Sequence, residues 1–399
     1  MTLLMEVVPI TLAVLAALLT IKLISPILDE PLSEGRFQSI DGIRGYLGFS
    51  VFLHHSCIWY FYLKNKAWAV PPSYIYTNLG QGGVAIFFMI TSFLFFTKIL
   101  DHKSKPIDWI YLYSSRILRL LPLYLTATFI MFSIVAIKTN FELAEPVSSI
   151  AKEALNWVRF SQSDINKLQN TWIIFAGVTW TLPYELAFYS FLPIIYITFK
   201  HYNKYWHLPT IACIYVGFQY FRMLDLNSLF LKVFLSGIIA ALISRIELAQ
   251  KLSNTKFTSL IVIILLITAT TNFASSYEST PLLMLTVAFT LIASGNSIFG
   301  LLTSQLSRKL GEITYSIYLL HGIILYFLFS VLIGEDKSSR FSPVEFWIIV
   351  VLITPVVISI SVFSFRFIER PSIRKSSSLA NLIKTATSTY SNKNLQNKV

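Results

Sequence analysis

Long apolar blocks alternate with short polar stretches along almost the whole chain. The apolar residues run continuously, whereas a half-buried strand or a surface helix would space them at every second position or every 3.6 positions. A helix needs about 20 apolar residues to cross the hydrocarbon core of a bilayer. We therefore expect an all-α integral membrane protein with about eleven transmembrane helices. The candidate blocks lie near residues 5–26, 42–63, 80–100, 117–137, 173–198, 207–221, 228–245, 257–274, 280–297, 313–333 and 344–366.

The composition supports a membrane protein. Only 13% of the 399 residues are charged and 55% are hydrophobic, whereas a soluble globular chain carries roughly 25% charged residues. A bilayer accommodates such a surface because each backbone polar group is satisfied inside a helix. The first block could be a signal peptide, but it lacks a basic segment before the apolar run and a small-residue cleavage site. We expect it to be a retained helix.

The net charge of +12 could suggest a nucleic-acid partner, but the basic residues lie between the apolar blocks and not in one stripe. If the amino terminus lies outside, 22 of the 32 Lys and Arg residues fall on inside connections, which then carry +13 against −1 outside. Basic residues favour the cytoplasmic side. The sequence thus predicts a multi-pass protein of the inner or plasma membrane, with its amino terminus outside, its carboxyl terminus in the cytoplasm and no nucleic-acid partner.

Two connecting regions and two cysteines complete this outline. The longest connection, about 138–172, lies outside in this topology and either covers a site or only links two spans. The end of the chain, 376–399, is rich in Ser, Thr, Asn and Lys, which predicts a disordered cytoplasmic tail. Cys57 and Cys213 lie in apolar blocks without metal-ligand spacing, so we expect no metal and no disulfide.

Polar residues inside the second block form the first candidate site. Arg44 and His55 are eleven positions apart, which on a helix places them on one face and about 16 Å apart along the axis. In the predicted orientation Arg44 lies at the cytoplasmic surface and His55 near mid-membrane. Asp41 is positioned to cap the helix. The alternative is an anchoring Arg and a His that is hydrogen-bonded to neighbouring backbone.

A pair of arginines forms the second candidate. Arg116 and Arg119 are three residues apart at the inner end of the fourth block, so both guanidinium groups lie on one side of the helix. Because Arg binds phosphate through two parallel hydrogen bonds, the pair could hold a phosphorylated cytoplasmic ligand. The alternative is ordinary anchoring by positive charge at the inner surface.

Two further groups combine ionisable and aromatic residues within apolar blocks. Glu185 lies among Trp180, Tyr184 and Tyr189, and it could be neutral, paired with a cation or an acid–base group. Tyr315, Tyr318 and His321 recur at every third position of the tenth block, either as a functional face or as hydrogen-bonding glue between helices. An ionisable residue within a span is costly, so each is a functional candidate.

Six segments in order, from about residue 39 to 372, resemble the motifs of family-three membrane acyltransferases, which include O-acetyltransferases of bacterial surface polysaccharides. The segments are Asp-Gly-Ile-Arg-Gly at 41–45 with the downstream His55, Gly-Val-Ala-Ile-Phe-Phe-Met-Ile at 83–90, Arg-Ile-Leu-Arg at 116–119 with Pro122, Trp-Thr-Leu-Pro-Tyr-Glu at 180–185, the Tyr-x-x-Tyr-x-x-His segment within 311–321, and Ile-Glu-Arg-Pro at 368–371.

The chain departs from the family pattern at three places. Thr91-Ser92 replaces the usual Ser-Gly, Ser115 stands where an arginine often precedes the pair, and Thr181 replaces Ser. The Ser115 difference suggests weaker or differently shared phosphate binding. The family domain has ten spans, so the resemblance implies an acyltransferase domain over 36–375, an additional amino-terminal helix and linker over 1–35, and the tail over 376–399.

The resemblance implies an O-acyltransferase that moves acetyl from cytoplasmic acetyl-CoA, as acyl donor, to a hydroxyl of a cell-surface or lipid-linked glycan. In the mechanism we expect, Arg44, Arg116 and Arg119 hold the phosphates of the coenzyme. His55 then acts as a base or accepts the acyl group transiently.

The remaining candidates have supporting roles in this mechanism. Glu185 and His321 orient His55 or bind the sugar, and Tyr318 stabilises the oxyanion, with Tyr315 and Trp180 as further substrate candidates. The alternatives are a flippase for a lipid-linked sugar, in which the polar residues relay protons, and a non-catalytic subunit of a polysaccharide-export complex.

Overall fold

The computed structural model describes residues 3–28, 37–102, 106–200 and 207–396, and within these ranges the protein is helical without a β-sheet. The helices are α1 (Leu3–Ile24), α2 (Gln38–Asn65), α3 (Tyr74–Asp101), α4 (Trp109–Lys138), α5 (Val147–Val158), α6 (Thr181–Lys200), α7 (His207–Met223), α8 (Leu229–Ile243), α9 (Glu247–Ser253), α10 (Lys256–Thr271), α11 (Ser279–Ala293), α12 (Gln305–Glu312), α13 (Thr314–Tyr326), α14 (Glu335–Ser338), α15 (Pro343–Ser364), α16 (Arg370–Arg374) and α17 (Ser376–Gln396). Wider π-type turns extend α13 through Phe327–Leu332 and α15 through Phe365–Glu369.

Several long helices begin at a polar residue that caps them. The Ser73 hydroxyl accepts a hydrogen bond from the Tyr76 N–H at the start of α3 (3.3 Å). The Asp108 carboxylate accepts one from the Tyr111 N–H at the start of α4 (3.1 Å). Such caps satisfy backbone N–H groups that the first turn of a helix leaves unpaired. The polar residues between the apolar blocks therefore define where these helices start.

The centre of the bundle is α3, which contacts α2, α6, α8, α10 and α11, while α2 also packs against α12 and α13. The crossing of α2 and α12 requires glycine on both helices. A Cβ at Gly45 would clash with the Leu310 backbone, and a Cβ at Gly311 would clash with the Asp41 carbonyl oxygen. Small residues at such crossings let helix backbones approach closely in membranes.

Contacts between connections define two ends of the bundle. At one end Lys66 forms an ion pair with Glu335 (2.6 Å), and at the other Arg245 pairs with Asp101. Each pair joins segments that the sequence predicts to lie on the same side of the membrane. We call the end at which α2, α4 and α10 begin the basic end, and the opposite end the distal end. The assignment of the basic end to the cytoplasm stays a prediction.

Six of the described helical segments are long and apolar enough to cross a membrane, or seven if α8 and α9, bent by 100°, form one broken span. Helix α2 is not among them, because Arg44, His54 and His55 lower its mean hydropathy. The chain is thus a multi-pass helical membrane protein. The count of eleven spans stays a prediction.

The predicted disordered tail is helical over Ser376–Gln396 and packs against α4. Ala380 is buried there, and the Lys384 ammonium donates to the Asp108 carboxylate (2.5 Å). Composition alone predicts disorder for this segment, whereas the structure has a helix there for which α4 supplies a packing surface. Residues 397–399 lie outside the described part of the chain, as does 29–36 of the predicted linker.

The long connection after α4 is an ordered segment at the distal end. The Asn166 side chain accepts from the Ala144 N–H (2.8 Å) and donates to the Glu142 carbonyl (2.8 Å). Trp157 of α5 is fully buried, and its indole N–H donates to the Ser163 carbonyl (2.9 Å). These bonds fold the connection on itself, and its 3₁₀ turn at Thr171–Phe175 packs against α13 and α4.

Candidate active site

Helix α2 carries three of the predicted residues, Asp41, Arg44 and His55. The helix is continuous through Arg44 and His55, as the spacing predicts. Asp41 is not the cap, because α2 begins three residues earlier at Gln38 and its N-cap position is Phe37, which makes no side-chain capping bond. Asp41 instead lies in the first turn of α2, where a carboxylate favours the positive end of the helix dipole and interacts electrostatically with Arg44.

A cavity of about 220 Å³ brings together arginines from two distant parts of the sequence. Arg44 of α2 lines it together with Arg116 and Arg119 of α4, and Lys98 from the last turn of α3 adds a fourth cation. Glu185 of α6 is the one carboxylate in its lining. We call this space the charged cavity. Four cations against one carboxylate give it an excess of positive charge that suits an anionic ligand.

The Glu185 carboxylate is held by two hydroxyl groups. It accepts from the Tyr189 hydroxyl at 3.0 Å and from the Thr91 hydroxyl at 3.4 Å. Thr91 is one of the positions that depart from the family pattern, and here it supplies a donor to the carboxylate. Arg44 and Glu185 interact electrostatically. Glu185 is therefore placed to orient the cations of the charged cavity, and it does not contact His55.

The tyrosine and tryptophan candidates separate in the structure. Tyr315 and Tyr318 line the charged cavity. The Tyr315 hydroxyl donates to the Leu120 carbonyl (2.9 Å) and the Tyr318 hydroxyl to the Val178 carbonyl (3.0 Å). Because each hydroxyl proton already has an acceptor, neither hydroxyl is free to stabilise an oxyanion in this arrangement. Trp180 does not line the cavity, and its role as a substrate contact stays a prediction.

Trp180 lies outside the cavity because of the local fold. Its ring packs against Phe88, Tyr184 and Phe230, with centroid distances from 5.1 to 6.4 Å. A tight 3₁₀ turn, Val178–Trp180, directly precedes α6. Trp180 and Glu185 are close along the chain, but only Glu185 lines the charged cavity.

His55 and His321 form a hydrogen-bonded pair that joins α2 to α13. The His55 Nδ1 and His321 Nε2 atoms are 3.0 Å apart. Each Nδ1 also lies 2.9 Å from a backbone carbonyl one turn earlier, Val51 for His55 and Ile317 for His321. A carbonyl can only accept, so both Nδ1 atoms carry the proton, and His321 Nε2 accepts from His55. We call these two residues the histidine pair.

This arrangement leaves one ring nitrogen available. Among the described residues, none hydrogen-bonds to Nε2 of His55, which in this tautomer carries a lone pair. His55 is also partly exposed, whereas His321 is fully buried. His54 faces elsewhere and donates to the Tyr76 carbonyl (2.8 Å). Of the three histidines, His55 is thus the one with a free, accessible basic nitrogen.

Tyr318 lies close to both the charged cavity and the histidine pair. It lines the cavity, and its ring centroid lies 6.4 Å from that of His321. Neither histidine lines the cavity. Arg44 and His55 therefore lie on one continuous helix, and Tyr318 borders both the charged cavity and the histidine pair. A ligand that reached from the cavity to the pair would pass beside Tyr318.

Two charged residues near the arginines were not predicted as site residues. Lys98 lines the charged cavity. Glu369, in the Ile-Glu-Arg-Pro segment, is buried, accepts a hydrogen bond from Ser316 and interacts electrostatically with Arg119 and Arg44. The signal for Glu369 was its place in a motif to which the sequence assigned no role. It offsets part of the repulsion among the arginines and so helps to hold them together.

The described residues include no group of three or more His, Cys, Asp or Glu side chains that could hold a metal ion. Cys57 and Cys213 are both buried as free thiols. The functional groups in the centre of the bundle are therefore a cation-rich cavity, a carboxylate within it and a histidine pair beyond it. Such a centre is suited to binding an anionic ligand and to moving a proton or an acyl group.

The fold and this centre define a class, a helical membrane protein with a charged internal site. A family model, the acyltransferase domain of acyltransferase family 3, matches residues 37–366. The chain belongs to this family and is a membrane acyltransferase. Helix α1 precedes the matched region. The comparisons with curated proteins and with solved structures gave no match.

Proposed function

We propose that this acyltransferase moves an acetyl group from acetyl-CoA, bound from the basic end, to a hydroxyl of a glycan or glycolipid at the distal end. The observation that carries the proposal is the line through the bundle on which four cations are followed by Tyr318 and then by the free nitrogen of His55. An anionic coenzyme with a long, slim acyl-bearing arm fits such an order.

The size of the charged cavity supports binding of part of the coenzyme. Small-molecule sites commonly measure about 300–1,000 Å³, and this cavity measures about 220 Å³. The arm that carries the thioester would occupy it, while the nucleotide stays at the basic end near Lys98 and Tyr111. The arginines would neutralise phosphate charge through charge-assisted hydrogen bonds.

The chemistry assigned to His55 is removal of the acceptor proton. Nε2 would take the proton from the acceptor hydroxyl as its oxygen attacks the thioester carbonyl. The carbon–sulfur bond then breaks, and the coenzyme thiolate takes the proton from His55. In the alternative order, Nε2 attacks the thioester carbonyl first and the carbon–sulfur bond breaks to release the coenzyme thiolate. The acceptor oxygen then displaces the acyl group from the histidine, and the thiolate takes up the proton that the acceptor hydroxyl loses. His321 holds the His55 ring in the required tautomer in both orders.

The proposal is tested by the acetylation pattern of the cell-surface glycan, measured by mass spectrometry in cells with and without this chain. We expect an O-acetyl group at a defined position only when the chain is present. An unchanged pattern would contradict the glycan acceptor. Transport of a lipid-linked sugar, the alternative activity, would instead alter the amount of surface glycan and leave its acetylation per sugar unchanged.

The acyl donor is tested separately by competition. Acetyl-CoA, propionyl-CoA and butyryl-CoA would be compared as donors for the purified chain in a lipid bilayer. We expect acetyl to be preferred, as the family resemblance implies. Equal rates with all three donors would contradict acetyl selectivity but not acyl transfer.

A further inference from the structure

Two tryptophans stand beside His55 on its distal side. The Trp68 ring, in the connection between α2 and α3, lies 6.4 Å from the His55 ring and within 23° of parallel to it. The Trp172 ring lies 5.9 Å from that of Trp68, at 85°. The two indole rings are thus nearly perpendicular neighbours, and His55 lies beside the Trp68 ring. We call the space between the two rings the tryptophan corner.

Both tryptophan rings pack against neighbouring residues on one side and are partly exposed. Trp68 packs edge-on against Trp59 (5.6 Å) and Tyr62 (5.5 Å). Trp172 lies against Gly177, where an added Cβ would be 3.3 Å from the indole ring. Both tryptophans, like His55, are nevertheless only partly buried. Rings that are held rigidly yet remain accessible are suited to binding a ligand, because little side-chain freedom is lost on binding.

These tryptophans differ from those of a membrane-interface belt. Belt tryptophans contact lipid headgroups around the outside of a bundle. Trp68 instead faces inward, towards His55 and Trp172. The tryptophan corner also has a polar border, since Lys66, which pairs with Glu335, lies 5.9 Å from the Tyr62 ring. An apolar wall next to charged groups matches a ligand that has both apolar faces and hydroxyl groups.

We propose that Trp68 and Trp172 form a subsite for the sugar ring of the acceptor. A pyranose presents C–H groups on its faces and hydroxyls around its rim. One face would stack on an indole ring, and a rim hydroxyl would then point to Nε2 of His55. The inference rests on the proposed function, since it gives the acceptor a place beside the nitrogen that takes its proton.

The kinetic test compares sugar and non-sugar acceptors of the full chain in a bilayer, with acetyl-CoA as donor. The probes are phenyl β-glucoside, phenyl β-galactoside and phenyl α-rhamnoside, with cyclohexylmethanol as a simple alcohol. In W68A and W172A we expect the KM for an accepted glycoside to rise by about three- to tenfold, the loss of one aromatic stacking contact. The KM for acetyl-CoA and the rate with cyclohexylmethanol should stay unchanged.

The matched control is W109A. Trp109 is also partly buried, but it lies at the basic end against Tyr113 and Tyr196. It should leave the KM for glycosides unchanged. The subsite is contradicted if W68A and W172A keep the wild-type KM for glycosides, or if they slow cyclohexylmethanol and glycosides equally. It is also contradicted if the wild type uses the simple alcohol and none of the three glycosides.

A second measurement does not depend on acyl transfer. Diethyl pyrocarbonate modifies free imidazole nitrogens, and peptide mass mapping reports how fast His55 reacts. We expect the same glycosides to slow this reaction in the wild type and in W109A, but not in W172A. If the glycosides protect His55 but receive no acetyl group, the subsite is upheld and the proposed function is contradicted. If the wild type acetylates the glycosides but they do not protect His55, the proposed function is upheld and the subsite is contradicted.

Discussion

The charged cavity and the histidine pair lie in one bundle, yet they are built in opposite ways. The cavity gathers four cations from three helices around one carboxylate, and its side chains face an open space. The histidine pair consists of two rings tied to backbone carbonyls and to each other, with one nitrogen left free. The first arrangement attracts an anion and the second handles a proton. We therefore assign binding of the anionic ligand to the charged cavity at the basic end, and proton transfer to the histidine pair.

The largest effect is expected at the histidine pair. H55A should lower kcat by about 10²–10⁴-fold, the usual contribution of a positioned general base, while acetyl-CoA still binds because the cavity is intact. The measurement is single-turnover transfer together with coenzyme binding. H54Q is the matched control, since His54 is the neighbouring histidine and donates away from the pair. A kcat for H55A near that of the wild type would remove His55 from the chemistry.

Substitutions of the arginines that line the charged cavity should lower the affinity for acetyl-CoA. R116M and R119M should each weaken acetyl-CoA binding by about tenfold to a hundredfold, the loss of one hydrogen bond to a charged group. The loss should shrink as salt is added, because exposed charges are screened. Titration calorimetry measures both effects. R222M, at an exposed arginine at the end of α7, should bind normally, and equal weakening in all three variants would contradict the assignment.

Between the two regions stands the hydrogen bond from His55 to His321, and its loss should cost less. H321N should lower kcat by about two- to tenfold, the net value of one hydrogen bond, and leave both KM values unchanged. The pH profile of kcat should also change, because His321 accepts the Nδ1 proton of His55. A lower yield of folded protein with an unchanged pH profile would mean that His321 is only structural.

A smaller effect is expected at Tyr318. Its hydroxyl proton is donated to the Val178 carbonyl, so Y318F should change kcat by about threefold or less. A true oxyanion donor would cost about 10²–10³-fold when removed. Steady-state kinetics of this variant therefore decides between the two roles. A loss of the larger size would show that the Tyr318 hydroxyl turns towards the acyl group during the reaction.

The smallest effect concerns the tail helix. The Lys384 ammonium lowers the pKa of Asp108, and so does the N–H of Tyr111. A lowered pKa contributes stability above the pKa of the unfolded state, and this is lost as pH falls through the folded-state pKa. The pair is exposed, so D108N should lower Tm by about 1 °C at neutral pH and by less in acid. If the Tm difference between D108N and the wild type stays the same in acid, the stabilisation does not come from the ionised Asp108 carboxylate.

The sequence predicted the parts of this molecule that depend on local spacing. The apolar blocks predicted helices, and the eleven-residue interval placed Arg44 and His55 on one face of α2. It did not predict features that arise where distant segments meet. The packing of Trp180 against Phe230 and of α17 against α4 depends on tertiary contacts. The bond between His55 and His321 was expected only as one of two possible roles of His321. Spacing along one helix carries no information about them.

The site itself was predictable only in outline. The order of the motifs indicated the arginines, Glu185 and His321 as site residues. It did not indicate which of them line the same cavity. Trp68 and Lys98 lie outside every motif that the sequence indicated. They belong to a connection and to the end of a helix, and their positions follow from how α2, α3 and α4 pack. A single sequence does not encode that packing in any local pattern.

The most direct test of the account follows labelled acetyl-CoA with the purified full chain in a lipid bilayer that contains the host glycolipid fraction. We expect saturable coenzyme binding, release of free coenzyme thiol and transfer of the label to the glycolipid. In H55A we expect the same binding without transfer. An absence of binding and release in the wild type would contradict the assignment of the charged cavity to the coenzyme, and undiminished transfer in H55A would contradict the role of the histidine pair.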